Sequence, residues 1–114
     1  MALGRDLTRR RYPRYALRGP IRADLYCSET SSMIVRGRCC EVGEGGAGVS
    51  LNDQLPVGEV VALELSPGLR VYAAVRYLRG FYHGFEFVML RDRQREAIHQ
   101  LCESLASRHQ PATN

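Results

Sequence analysis

Six short apolar stretches separated by turn-forming residues constrain the fold of this 114-residue chain more than any other feature of its sequence. In the first, residues 21–27, Ile21, Ala23, Leu25 and Cys27 alternate strictly with polar residues, which is typical of a strand with one buried face. Further strands are predicted over residues 33–42, 47–51, 60–65, 71–78 and 82–88, with turns between them. Six strands at roughly ten-residue spacing predict an all-β fold, either a small antiparallel barrel or a sandwich.

The apolar period changes from two to three or four after residue 92. Ile98, Leu101, Cys102 and Leu105 recur at helical spacing, and Asp92 is suited to cap the start of a helix. We therefore predict a C-terminal helix over residues 92–108 whose apolar stripe covers the strands. Residues 109–114 carry no apolar pattern and are predicted to form a disordered tail.

The N-terminal segment is strongly basic. Residues 1–22 hold seven arginines against one acid, a net charge of +6, whereas the rest of the chain holds nine arginines against eleven acids, a net charge of −2. Pro13 disfavours a helix in the Arg-Arg-Arg-Tyr-Pro-Arg run of residues 9–14. We predict a flexible basic arm over residues 1–17, followed by one folded domain over residues 18–108. Guanidinium groups pair with phosphates and with guanine edges, so the arm indicates a local anion site.

A glycine-rich turn lies between the second and third predicted strands. Four glycines within residues 43–48 indicate a backbone with positive φ, a close approach by another group, or a flexible hairpin that binds no ligand. Beside this turn, Glu41 supplies a carboxylate that can accept the two neighbouring N–H donors of a guanine.

These motifs resemble those of PilZ domains. Arg10 and Arg14 match the Arg-x-x-x-Arg motif of that family, and the Asp/Asn-x-Ser-x-x-Gly motif aligns with Glu41, Gly43 and Gly46. The run Gly84-Phe85-Glu86-Phe87 is similar to the Gly-x-x-Phe strand near the end of these domains, and the closing helix also fits. The resemblance covers about residues 8–106, and the order and spacing of the motifs carry it.

The resemblance implies a six-stranded antiparallel β-barrel with one C-terminal helix that binds the bacterial second messenger cyclic di-GMP. Arg10 and Arg14 would stack on guanines and hold phosphates, with Arg9 as a supporting contact. Glu41 would hold a guanine edge, and Gly43 and Gly46 would complete the second motif. Stand-alone members are thought to act on an effector protein, which the sequence does not identify, after the ligand has reordered the arm.

Two residues depart from the family pattern. Glu41 stands in place of Asp or Asn, which moves the acceptor outward by one methylene, and Gly43 stands in place of Ser, which removes a hydroxyl. The loss of one hydrogen bond costs about 0.5 to 1.5 kcal/mol, so a weakened site is expected. The alternative is a divergent PilZ adaptor that does not bind cyclic di-GMP.

Other function classes receive less support from the sequence. The three histidines have no nucleophile or paired acid at a catalytic spacing, so the chain is not expected to be an enzyme. Metal binding is not expected because Cys-x-x-Cys spacing is absent. Single-stranded nucleic acid is not the expected partner because exposed aromatic residues in the arm are few. The chain shows no apolar run that could insert into a bilayer, which favours a cytoplasmic location.

Overall fold

The computed structural model describes residues 12–28 and 31–109. Within these ranges the chain forms six strands and one helix. The strands are β1 (Arg14–Ser28), β2 (Ser31–Gly43), β3 (Gly46–Leu51), β4 (Val60–Ser66), β5 (Leu69–Arg79) and β6 (Tyr82–Val88). The helix, α1 (Asp92–His109), follows the last strand.

The six strands form a closed antiparallel barrel in the order β1-β2-β3-β6-β5-β4. The barrel closes where β1 meets β4, through the pairs Ala23 with Leu63 and Asp24 with Ala62. Because each strand has a hydrogen-bonded neighbour on both sides, the ladder groups of one strand are satisfied by the next. The prediction of a six-stranded antiparallel barrel with a C-terminal helix is therefore confirmed.

Alternation along the strands places the core inside the barrel. On β4, Val61, Leu63 and Leu65 are buried, as their spacing predicts. The helix contributes its predicted stripe to the same core, because Ile98, Cys102 and Leu105 are buried and Leu101 packs against them. No helix in the described ranges combines the length and the apolar character needed to cross a bilayer.

One predicted boundary and one predicted capping residue differ from the structure. Strand β1 begins at Arg14 and not at residue 21, because a register shift between Ala16 and Gly19 lets the strand continue through Pro20. Residues 14–17, which the sequence assigned to the arm, are thus part of a strand. Helix α1 has Asp92 as its first helical residue, and its start is capped by Gln94, whose Oε1 accepts a hydrogen bond from the Arg91 N–H.

Several predictions concern residues outside the described ranges. They include the flexibility of the basic arm over residues 1–11 and the disorder of the tail from residue 110 onward. These remain predictions.

Candidate ligand-binding site

The pairing of β1 with β2 brings three of the predicted site residues together. Arg14 opens β1 and pairs with Gly43, and Ala16 pairs with Glu41 two positions along. Gly46 opens β3 and pairs with Glu86 on β6, one strand further round the barrel. Arg9 and Arg10 lie outside the described residues.

Arg14 and Glu41 form a partly buried ion pair at the centre of this group. The Arg14 Nη1 atom lies 3.5 Å from the Glu41 Oε2 atom, and the two side chains are 14% and 24% exposed. This distance is at the outer limit of a hydrogen bond, so the two groups attract each other without a tight contact. A negatively charged acceptor and a permanent cation therefore lie side by side, and both are largely shielded from solvent.

Tyr82 is a site residue that the sequence did not predict. Its hydroxyl donates a hydrogen bond to the same Glu41 Oε2 atom at 2.5 Å. Burial, together with this bond to the carboxylate, raises the pKa of the Tyr82 phenol. The outward position of Tyr82 on β6 follows from alternation, but its contact with Glu41 depends on strand β3 between them.

Two glycines on that outer surface make room for tyrosine rings. Gly48 on β3 pairs with Glu41 on one side and with Gly84 on the other. A Cβ at Gly48 would meet the Tyr82 hydroxyl, and a Cβ at Gly84 would meet the ring of Tyr77. The two rings are tilted by 37° to each other, with their centroids 6.3 Å apart. The surface next to Glu41 is therefore aromatic, and Tyr77 remains 37% exposed to a ligand.

The glycines of the turn are explained by close approach and not by positive φ. Among the described residues the glycines with positive φ are Gly58, Gly68 and Gly80, whereas Gly43 and Gly46 do not have positive φ. A Cβ at Gly43 would lie 2.6 Å from the Pro13 carbonyl oxygen, and a Cβ at Gly46 would meet the Phe85 carbonyl oxygen. Of the three explanations that the sequence left open, crowding by backbone is the one that applies at these two positions.

The turn is also joined to helix α1. The Glu44 Oε2 atom lies 3.0 Å from the His99 Nδ1 atom, and Glu103 Oε2 lies 3.3 Å from His99 Nε2. The hydrogen bond to Glu44, with the charges of Glu44 and Glu103, raises the pKa of His99. When it is protonated, His99 forms an ion pair that joins the turn to the helix.

The remaining buried polar side chain of this region has a packing role. His83 is buried, its Nε2 atom accepts a hydrogen bond from the Leu55 N–H at 2.9 Å, and its Nδ1 atom lies 2.8 Å from the Phe81 carbonyl oxygen. These contacts fix the tautomer with the proton on Nδ1. Among the residues that the structure describes, no group of three or more histidine, cysteine or acidic side chains is placed to hold a metal ion.

The arrangement is suited to ligand binding. An acceptor carboxylate beside a guanidinium can recognise a ligand that presents both donors and negative charge. Exposed aromatic rings next to them can stack on a planar group. A nucleotide base with an attached phosphate has both properties.

Comparison with known proteins identifies the family of this chain. A sequence model of the PilZ domain matches residues 8–104. The curated proteins contain no match to the chain. Among solved structures, the PilZ domain of CeSA from a cellulose-synthesizing bacterium is similar, with 18% identity and a TM-score of 0.65 over 82% of this chain and 97% of that one.

Two further similar structures come from Escherichia coli. The PilZ domain of YcgR with c-di-GMP shares 19% identity, with a TM-score of 0.64 over 89% of this chain and 94% of that one. The longer YcgR structure in complex with c-di-GMP shares 19% identity with a TM-score of 0.66, covering 88% of this chain and 47% of that one. The chain therefore spans about half the length of the longer YcgR structure. Because the family match runs from the basic arm into helix α1, this chain belongs to the PilZ domain family.

Proposed function

We propose that this chain is a receptor for cyclic di-GMP. In this proposal Arg14, with Arg9 and Arg10, holds phosphates and stacks on guanines, and Glu41 accepts hydrogen bonds from a guanine edge. The basic segment that precedes β1 closes over the ligand against the barrel, and the reordered surface acts on an effector protein. The proposal assigns ligand binding to the chain and no catalytic step.

The observation that carries the proposal is the pair of Arg14 and Glu41. These residues are 27 positions apart in the chain, and strand pairing brings their side chains within 3.5 Å beside the glycine-rich turn. A guanine presents two adjacent N–H donors, which a carboxylate can accept, and cyclic di-GMP also carries two phosphates for the arginines. The similar PilZ domain of YcgR was solved with c-di-GMP, which supports the choice of ligand.

The contacts of Glu41 imply a competition for its carboxylate. In the described state Tyr82 and Arg14 both bind the Oε2 atom. A guanine that takes this carboxylate has to displace or share the Tyr82 hydroxyl, whose charge-assisted bond contributes about 1.5 to 3 kcal/mol. Gly43 also lacks the hydroxyl expected at its position, so the affinity should be lower than that of a site with the full motif.

The same competition favours one alternative, a PilZ adaptor that acts without cyclic di-GMP. If Tyr82 and Arg14 satisfy Glu41 permanently, the carboxylate stabilises the barrel surface and recognises no ligand. The two functions differ in whether the chain binds the nucleotide at all.

Isothermal titration of the full chain with cyclic di-GMP separates the two. We expect saturable binding that excess GTP weakens and that Arg14→Ala reduces about 10- to 100-fold, since a charge-assisted contact of about 1.5 to 3 kcal/mol is lost. Arg36→Ala is the matched control, because Arg36 is an exposed arginine on β2 that lies five residues from Glu41. Absence of binding heat in the unaltered chain, or equal losses in the two variants, would contradict the receptor proposal.

A further inference from the structure

A groove of ≈ 670 Å³ lies between the turn that joins β4 to β5 and the first turn of α1. Three exposed arginines line it, Arg70, Arg91 and Arg93, and its lining contains no acidic side chain. None of these residues belongs to the site proposed for the nucleotide. The groove is therefore a second region of concentrated positive charge on the folded domain.

The charge of the groove is only partly neutralised by the protein itself. Arg70 forms an ion pair with the buried Asp24, which Arg22 also binds at 3.2 Å. Burial alone would raise the pKa of Asp24, but its hydrogen bonds with Arg22 and Arg70 lower this pKa. Asp24 is therefore charged and paired with both arginines. Arg91 and Arg93 form no ion pair with an acidic side chain in the ranges that the structure describes. Two cations thus remain for an outside partner.

A single side chain fixes the two walls of the groove to each other. Gln94 donates from Nε2 to the Arg70 carbonyl oxygen at 2.9 Å, and its Oε1 atom accepts from the Arg91 N–H at 2.7 Å. Strand β5 and the start of α1 are therefore held at a set separation. A groove with fixed walls loses little conformational entropy when a partner enters it.

Two large apolar side chains that line the groove are exposed to solvent. Tyr72 is 44% exposed, and on β5 it lies between Ala62 of β4 and Val88 of β6. Met89 is 71% exposed and has a φ of 55°, a left-handed backbone that a non-glycine residue adopts at a cost. The link between β6 and α1 thus carries local strain while Met89 projects outward.

We infer that this groove docks a short acidic segment of a partner protein, with an apolar side chain seated on Tyr72 and Met89 and carboxylates facing Arg91 and Arg93. Tyrosine, methionine and arginine, which all line the groove, are among the residues enriched at protein interfaces. A phosphate backbone or a lipid headgroup would use the arginines and leave the apolar centre uncovered. The composition of the groove therefore favours a peptide chain.

This docking surface is independent of the nucleotide site. Strands β4 and β5 are separated from β2 and β3 by β1 on one side of the barrel and by β6 on the other. A partner in the groove would leave Arg14 and Glu41 accessible, because neither residue lines the groove. Docking is therefore expected with or without cyclic di-GMP, and its test does not depend on the proposed receptor function.

The test is a titration of the full chain, without nucleotide, with a labelled hexapeptide in which Leu-Phe is flanked on each side by Asp-Glu. Two comparison peptides replace Leu-Phe by Ser-Ser, or replace the acids by their amides. We expect saturable binding of the first peptide only, with amide NMR shifts at Tyr72, Met89 and residues 91–94. The double variant Arg91→Glu with Arg93→Glu should weaken binding at least about tenfold, whereas Arg79→Glu with Arg108→Glu, which has the same net charge, should change it less than about twofold.

Met89→Gly separates binding from folding. Glycine adopts positive φ freely, so this variant should unfold at the same temperature as the unaltered chain or higher, while its affinity for the peptide falls. Several outcomes would overturn the proposal. The first group is no NMR shift at millimolar peptide, shifts confined to Arg14 and Glu41, or equal binding of the Ser-Ser peptide. A second is tighter binding of phosphatidylglycerol vesicles or single-stranded DNA through Arg91 and Arg93. A third is self-association of the chain that Arg91→Glu abolishes, which would identify a second copy as the occupant of the groove.

Discussion

Replacement of Gly43 by serine tests why a glycine stands at this position. The serine would supply the hydroxyl of the family pattern, but the structure leaves no room for its Cβ. That atom would lie 2.6 Å from the Pro13 carbonyl oxygen and 2.9 Å from the Arg14 Cδ atom. Because the first of these is a backbone atom that precedes a paired strand, the start of β1 would have to move away from β2.

The size of the effect follows from these distances. Carbon and carbonyl oxygen approach to about 3.3 Å at closest, so the backbone at Pro13 has to shift by about 0.7 Å. Overpacking of this kind typically costs about 1 to 3 kcal/mol. The control is Gly19→Ser, on the same strand, where a Cβ meets no atom within 4 Å and the φ is not positive. Its effect should stay within about 0.5 kcal/mol.

Urea unfolding of the two variants and the unaltered chain measures the difference. We expect Gly43→Ser to lower the free energy of unfolding by about 1 to 3 kcal/mol, or the melting temperature by about 4 to 8 °C for each kcal/mol. Equal stability of the two serine variants would refute the steric explanation. The glycine would then have to be attributed to the ligand, and a rise in affinity for cyclic di-GMP would support that attribution.

Three further outcomes are expected. Because the pKa of His99 is raised in the folded chain, its bond to Glu44 stabilises the fold fully below about pH 6.5 and is lost as the pH rises through the folded pKa. A series of thermal melts from pH 5 to 9 should show this loss, and His99→Asn should remove it. Glu41→Asp withdraws the carboxylate from Tyr82, so absorbance titration of tyrosinate should detect a lower pKa for that phenol, whereas an unchanged titration would contradict the contact. His83→Ala removes a buried ring with two backbone contacts and should cost about 2 to 5 kcal/mol in urea unfolding, and a loss below about 0.5 kcal/mol would show that the ring does not hold the barrel.

The elements of the fold were predictable because alternation and helical spacing report burial directly. The residues of β6 and the buried stripe of Ile98, Cys102 and Leu105 follow from their periods alone. The start of β1 did not follow, because the register shift after Ala16 interrupts the period that identifies a strand. A bulge adds one residue to a strand and has no distinctive sequence. The alternation of buried and exposed residues is therefore interrupted at the bulge, although the strand continues.

The composition of the site was predictable in part for the same reason. Motif spacing places Arg14, Glu41 and Gly43 together, because all three lie on the adjacent strands β1 and β2. Tyr82 is two strands away from Glu41, and its position opposite depends on the register shift between Cys39 and Glu41. A contact between residues on strands that are not adjacent depends on the register of each strand pair that lies between them. Sequence periodicity does not determine these registers.

The two departures from the family motif, Glu41 and Gly43, form one structural unit with Tyr82, which sequence analysis did not predict. The extra methylene of Glu41 carries its carboxylate across Gly48 to the Tyr82 hydroxyl, and Gly48 has no side chain to block the contact. On the other side, Gly43 allows the Pro13 carbonyl and Arg14 to approach β2, which brings the guanidinium to the same carboxylate. Glutamate at 41 and glycine at 43 therefore place an arginine and a tyrosine on one acceptor. A guanine that binds this acceptor has to displace or share the Tyr82 hydroxyl, so the environment of Tyr82 is expected to change when cyclic di-GMP is bound.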